Sequence, residues 1–335
     1  MRVALDAMGG DKAPGPIIAG ALQAVTANPE MVVVLVGDQN RIETELAQAA
    51  TRDRLEIFHA SQVIGMEESP VEGLRAKPDN SISRCWQLLA EKRVDAVVSA
   101  GSTGAMVAGG LRSRRFLKHV RRPGIATVMP TAKGYSVIID VGANVTPKPE
   151  HLFQYGVMGS IFVRHMLHRP DPKIGLINVG EETSKGHDLV RDTHALFNNS
   201  AWKENFRGNI EGRDIHRGAV DVIVTDGFTG NVILKLCEGV FEFIMQMVKR
   251  DVIGALTSER DQGAAALKGL LTKYHYSSFG GAPLLGIDGI CIVCHGASDD
   301  RAICNALGMA SEYWKSKLNE TIVAELEVNP PGDEE

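Results

Sequence analysis

The chain has 335 residues, with 36 lysines and arginines against 41 aspartates and glutamates, and a net charge of −5 at neutral pH. That length allows one large α/β unit or two lobes, and the acidic balance excludes a global field that would draw in nucleic acid. The N-terminus lacks the charged and apolar regions of a secretory leader, and no stretch approaches the roughly 20 apolar residues of a bilayer span, so a cytoplasmic location is expected.

Residues 3–7 read as a strand that carries Asp6 and enters a glycine-rich loop with Gly9 and Gly10, followed by a helix over 17–26. A second strand, helix and third strand follow at 31–36, 41–50 and 55–60. This alternation predicts βαβ units and a parallel sheet. Residues 61–80 lose periodicity and read as a polar connection before a helix over 81–91.

The strand at 95–99 feeds Ala100-Gly101-Ser102-Thr103-Gly104-Ala105, small residues with two hydroxyls at a helix start. The segment after it carries Arg112, Arg114, Arg115, Lys118, Arg121 and Arg122, a basic cluster in an acidic chain. It reads as a solvated helix end or as a dock for an acidic partner. Residues 125–129 and 136–140 form paired strands around Ala132-Lys133-Gly134, and Val141-Gly142-Ala143-Asn144 leaves the second. A strand at 173–178 gives way to a loop containing Gly180, Lys185 and Gly186.

The richest stretch is VDVIVTDGFTGNVILKLCEG, from Val220 to Gly239. It reads as strand, loop and helix, with Asp226, Gly227, Thr229, Gly230 and Asn231 placed where free helix N–H groups favour an anion. Five strand exits thus carry glycine with Asp, Asn, Ser or Thr, and in an open parallel sheet such exits share one edge where ligands bind.

Residues 241–276 stay helical and read as a protruding hairpin. Lys249, Arg250 and Lys268 border its apolar positions, which include Ile253, Leu256 and Leu271. That pattern suits an anionic membrane surface, an acidic partner or a twin subunit. The chain closes with the strand 290–293, the loop His295-Gly296-Ala297-Ser298, a helix to about residue 318 and a loose tail over 328–335. No internal repeat or linker is evident, so residues 1–327 are expected to form a single domain. Cys291-Ile-Val-Cys294-His295 spells a haem-attachment pattern. Its cysteines lie three apart in an apolar strand and face opposite sides, so they are expected to be buried hydrophobes and not metal ligands.

No phosphate-binding G-x-x-x-x-G-K-[ST], no dinucleotide G-x-G-x-x-G after a strand and no G-x-S-x-G elbow occurs. What remains is a set of amides, hydroxyls, Asn144, Asn231, Lys185 and His295, suited to holding a small oxyanion and stabilising charge on a carbonyl oxygen. Acyl transfer to or from phosphate fits that set.

In combination, LDAMGGD, SAGSTGA, DVGAN, INVGEE, VDVIVTDGFTGN, LLGIDG and HGAS resemble the bacterial phosphate acyltransferases, over nearly the whole length. Cys294 stands where many of that family carry lysine. The resemblance implies a three-layer α/β/α sandwich with a mostly parallel sheet, similar to isocitrate dehydrogenases and phosphotransacetylases. It also implies transfer of a fatty acyl group from acyl carrier protein to inorganic phosphate, in phospholipid synthesis. A homodimer and a membrane-touching hairpin are implied too, with a membrane glycerol-3-phosphate acyltransferase as a downstream partner and no metal or cofactor.

On this reading phosphate sits on Ser102, Thr103 and Gly104 or on the 227–231 loop. Lys185 offsets its charge or protonates the leaving thiolate, Asn231 stabilises the oxyanion, and His295 is a candidate acid or base. The basic cluster and the hairpin cations are the two landing surfaces for the carrier. A metal- and nicotinamide-dependent dehydrogenase of similar fold and a non-enzymatic acyl- or membrane-binding regulator are the alternatives.

Overall fold

The β-branched runs become strands β1 (Arg2–Asp6), β2 (Val32–Gly37), β3 (Leu55–His59), β4 (Ala96–Ser99), β5 (Gly124–Thr131), β6 (Gly134–Ile139), β7 (Ile174–Ile177), β9 (Val222–Val224) and β11 (Ile290–Val293). Two more, β8 (Phe206–Ile210) and β10 (Ala282–Leu285), have no such run. The computed structural model describes residues 1–47, 49, 52–274 and 280–330, and the side chains of all of these except 271–274.

The strands form one 11-stranded sheet in the order β3-β2-β1-β4-β11-β10-β5-β6-β9-β7-β8. Helices α1 (Gly15–Ala27), α2 (Gln39–Leu46), α6 (Pro149–Met166), α7 (Asp188–Asn198), α10 (Asp300–Lys315) and α11 (Leu318–Val328) supply side chains to the apolar cluster on one face. On the other face lie α3 (Pro70–Ala76), α4 (Ser81–Ala90), α5 (Thr103–Ser113) and the start of α8 (Gly227–Met247). This is the expected three-layer sandwich. A π-helical turn (Val248–Val252) and a 3-10 turn (Ile253–Ala255) link α8 to α9 (Arg260–Tyr274).

Sheet direction decides where the loops go. Strands β3, β2, β1, β4 and β11 are mutually parallel, as are β6, β9, β7 and β8. Between the two groups, β10 is antiparallel to both β11 and β5, and β5 is antiparallel to β6. Three reversals turn one parallel group against the other. The exits of β1, β4 and β11 therefore open on one edge of the sheet, and those of β6, β9 and β7 on the opposite edge. The expectation of a single shared edge is corrected.

Three further expectations change. The polar connection contains α3, started by Pro70 at its first turn. Val328 ends α11 and so belongs to a helix; residues 331–335 of the expected tail, like 275 and 276 of the hairpin, lie outside the described residues. An internal similarity is also present. Val94-Asp95, Val98, Gly101, Thr103 and Gly104 recur at the same spacing as Val220-Asp221, Val224, Gly227, Thr229 and Gly230. The register repeats with it, since Leu5 pairs with Val98 and Ile139 with Val224, which sets Asp6 and Asp140 at matching strand ends.

Candidate active site

On the first edge, Asp6 is buried and accepts from the Ser99 hydroxyl at 2.7 Å and the Met8 amide at 3.1 Å. Burial pushes its carboxyl above the ordinary range, against hydrogen bonds from Ser81 and Ser99. A Cβ on Gly9 would lie 2.5 Å from the Gly101 nitrogen. Gly9 is therefore bare so that two loops can touch. Gly10 has φ +112°, a conformation that favours glycine, and the next amide, of Asp11, donates to the Gly296 carbonyl at 2.8 Å.

His295 is exposed and its Nδ1 accepts from the Ala297 amide at 3.2 Å. Ser102 caps α5 by accepting from the Ala105 amide at 3.4 Å. The amides of Thr103 and Gly104 have no partner among the described residues, but Pro70 of α3 stands 2.6 Å from where a Gly104 Cβ would be. The helix start is thus partly covered.

On the second edge, Asp140 is buried and its carboxylate accepts from the amides of Ile125, Gly142, Ala143 and Asn144 at 2.7 to 3.1 Å. Burial raises its pKa against those four donors. Asn144 points its side-chain amide at the Pro123 carbonyl, the Asp140 carboxylate and the Tyr155 phenol at 2.7, 3.2 and 2.8 Å. It braces the loop and has no amide hydrogen left for a ligand.

The loop entering α8 is equally committed. Asp226 caps the Thr229 amide at 2.9 Å, the Gly227 amide donates to the Asn144 carbonyl at 2.8 Å, and the Gly230 amide donates to the Asp226 carbonyl at 2.9 Å. Of the expected amide cradle at 227–230, the amides of Gly227, Thr229 and Gly230 are therefore already taken by protein acceptors. Its glycines serve close packing, since a Cβ on Gly227 would sit 2.7 Å from the Asn144 carbonyl.

Two side chains stay available. Asn231 is exposed and its Oδ1 lies beside Gly142, 3.9 Å from where a Cβ would be. Lys185 is exposed on the loop after β7; Asn178 draws that loop back by donating to the Lys185 carbonyl at 3.1 Å, and the Lys185 ammonium has no partner among the described residues. Because β7 and β9 are hydrogen-bonded neighbours, the two loops leave strands about 5 Å apart. Lys185 and Asn231 thus share an edge, whereas Ser102, Thr103, Gly104 and His295 are on the other.

Sequence reasoning missed a positive spot on this second edge. His151, in the first turn of α6, accepts from the Lys148 amide through Nδ1 at 3.0 Å. Burial lowers its pKa to about 4, aided by the charges of Arg122, Arg121 and Lys148 and opposed by Glu150. The basic run was legible; its last two arginines reaching the β6 exit depends on the turn into β5, which no local pattern signals.

The expected landing surfaces divide in the same way. Arg115 is held by Asp288 at 2.6 Å and by the Ala90 carbonyl at 3.1 Å, so it is a brace, while Arg112 is exposed with no partner among the described residues. Ile253 and Leu256, in the connection between the two arms, both reach to 2.9 Å of a Gly263 Cβ position, so their side chains turn inward against α9. Lys249 and Lys268 are exposed, and Arg250 pairs with Asp251 at 2.6 Å. The Leu271 side chain lies outside those described. Among the described hairpin side chains, Phe243, Ile244, Met247, Val252 and Leu270 are the large exposed hydrophobics.

Comparison with known proteins settles which chemistry this scaffold serves. A family described as fatty acid synthesis protein matches residues 1–321. A phosphate acyltransferase of Geotalea daltonii is 41% identical over 339 residues, covering 99% of this chain and 96% of that one. The chain belongs to the phosphate acyltransferase family. It is an acyltransferase, and a second member, from Moorella thermoacetica, is 43% identical over 339 residues and covers 100% and 97% of the two chains. The fold is shared with a phosphotransacetylase of Streptococcus pyogenes, at a TM-score of 0.62 and 13% identity over 96% and 94% of the two chains. The EutD phosphotransacetylase of Staphylococcus aureus matches at a TM-score of 0.60 and 15% identity, over 93% of each. Among the described residues, no helix is long and apolar enough to cross a membrane.

Proposed function

We propose that this acyltransferase moves a fatty acyl group from the thioester of acyl carrier protein to inorganic phosphate, releasing an acyl phosphate for the acylation of glycerol 3-phosphate. The observation that carries this reading is that the exposed Lys185 and the exposed Asn231 follow neighbouring strand exits, on the edge that also holds Arg122 and Lys148. Phosphate at neutral pH is an adequate nucleophile, so the protein has mainly to position it and offset charge. Lys185 pairs with phosphate, whose oxygen attacks the thioester carbon. Asn231 donates its side-chain N–H to the tetrahedral oxyanion, and the carbon–sulfur bond then breaks, with Lys185 giving a proton to the thiolate.

The carrier is acidic, and Arg112, Lys249 and Lys268 offer exposed cations for it. Along α8, Phe228, Val232, Leu236, Val240, Phe243 and Met247 form one exposed apolar stripe at helical spacing, the face for a second copy in a homodimer. Val252 and Leu270 with the neighbouring cations suit peripheral contact with an anionic membrane. The reaction is tested by incubating the protein with acyl carrier thioester and phosphate and trapping acyl phosphate with hydroxylamine. Hydroxamate that forms only when phosphate is present supports the reading. Thioester loss without hydroxamate overturns it.

A further inference from the structure

Away from both strand exits, Cys237 on α8 holds its Sγ 3.3 Å from Nε2 of His216, and His216 Nδ1 lies 3.0 Å from the Pro130 carbonyl oxygen. A carbonyl oxygen only accepts, so Nδ1 carries the proton and Nε2 turns its lone pair to the thiol. Nucleophile, base and orienting acceptor stand in the order that covalent acyl transfer uses.

The surroundings say which electrophile fits. Cys237 is half-buried with Ile233 and Leu234 against the apolar cluster, while His216 is exposed. Burial, with the Glu238 charge, raises the thiol above its ordinary range. A neutral thiol reacts poorly with peroxides, which need thiolate, but it can attack an acyl carbon when a base removes its proton in the same step. Cys304, also half-buried, has no histidine partner among the described residues.

We propose that Cys237 is an S-acylation site for acyl phosphates. The Cys237 sulfur bonds to the acyl carbon and the bond from that carbon to the phosphate oxygen breaks. The thiol proton passes to His216 Nε2 and on to the departing phosphate, leaving a protein thioester and hydrogen phosphate. The proposal relies on the function above only for where acyl phosphate arises.

The test supplies that reagent directly. The full chain is incubated with acetyl phosphate or palmitoyl phosphate, quenched in acid, and mapped by peptide mass spectrometry, with neutral hydroxylamine to cleave thioesters. The expected result is acylation of Cys237 about 100-fold faster than of Cys304, slowed about 100-fold in His216→Gln. Equal labelling of the two cysteines, or an unchanged rate in folded His216→Gln, overturns it. Should that variant not fold, the comparison of Cys237 with Cys304 in the unaltered chain decides. Failure of the carrier assay with success here would sink the proposed function and leave this site standing.

Discussion

Gly230, in the first turn of α8, faces the backbone carbonyl of Asp140 so closely that a methyl group would overlap the oxygen. Backbone cannot yield as a flexible side chain can, so Gly230→Ala should cost about 3 kcal/mol. Gly239, further along the same helix, has nothing within 4 Å of its Cβ position, and Gly239→Ala should be neutral or stabilise by up to about 1 kcal/mol. Urea unfolding midpoints of the two variants check this. Equal destabilisation would show that the glycines do not differ in packing.

His151 gives the protein an acid-side dependence. Its folded pKa of about 4 lies below its ordinary 6.5, because burial and the cations around it disfavour the imidazolium. Between those values the unfolded chain binds a proton that the folded chain refuses, so stability falls as pH drops from about 6.5 towards 4. His194 is shifted the same way by burial, so the readout is a difference. In His151→Gln, melting temperature should fall less over that window, and parallel curves would refute the assignment.

If the carrier docks on exposed cations, Arg112→Glu and Lys249→Glu should each raise the apparent Michaelis constant for carrier thioester about tenfold, and leave that for phosphate unchanged. Arg115→Glu should behave differently. It sets a carboxylate against Asp288 and should lower the unfolding midpoint first. A Michaelis constant unmoved by either Arg112→Glu or Lys249→Glu removes the docking reading.

The apolar stripe of α8 predicts an assembly. Leu236 is 65% exposed and Phe243 61%, values that a single chain in water does not favour for two large hydrophobes on one helix face. Leu236→Glu should shift sedimentation equilibrium from dimer to monomer. A wild-type chain that sediments as a monomer at micromolar concentration would contradict the paired state.

Much of this architecture was legible. Runs such as Val32–Gly37 and Val222–Val224 announce strands by β-branching alone, and the glycine loops mark their ends. Strand β8, with Arg207, Gly208 and Asn209, and β10, with Pro283, carry no such signal and exist because neighbours pair with them. Direction was hidden for the same reason. Whether β6 runs with or against β1 is set by the β11-β10-β5-β6 reversals, one of which pairs Leu284 with Ile125, more than a hundred positions away. Hence Ser102 and Asn231 look alike in sequence and sit on opposite edges. The repeat of Val94–Gly104 in Val220–Gly230 is sparse enough to escape a reading of the sequence alone, and the matched strand registers bring it out: each copy lets a helix start pack on a loop braced by a buried aspartate, Asp6 or Asp140.

The most direct test measures hydroxamate formation from acyl carrier thioester and phosphate in Lys185→Ala and Asn231→Ala, each shown to melt like the unaltered protein. Both side chains are exposed, so the fold should hold, and each loss should lower turnover about 100-fold or more. Turnover within about threefold of the unaltered chain in both variants would place the chemistry elsewhere and contradict the account.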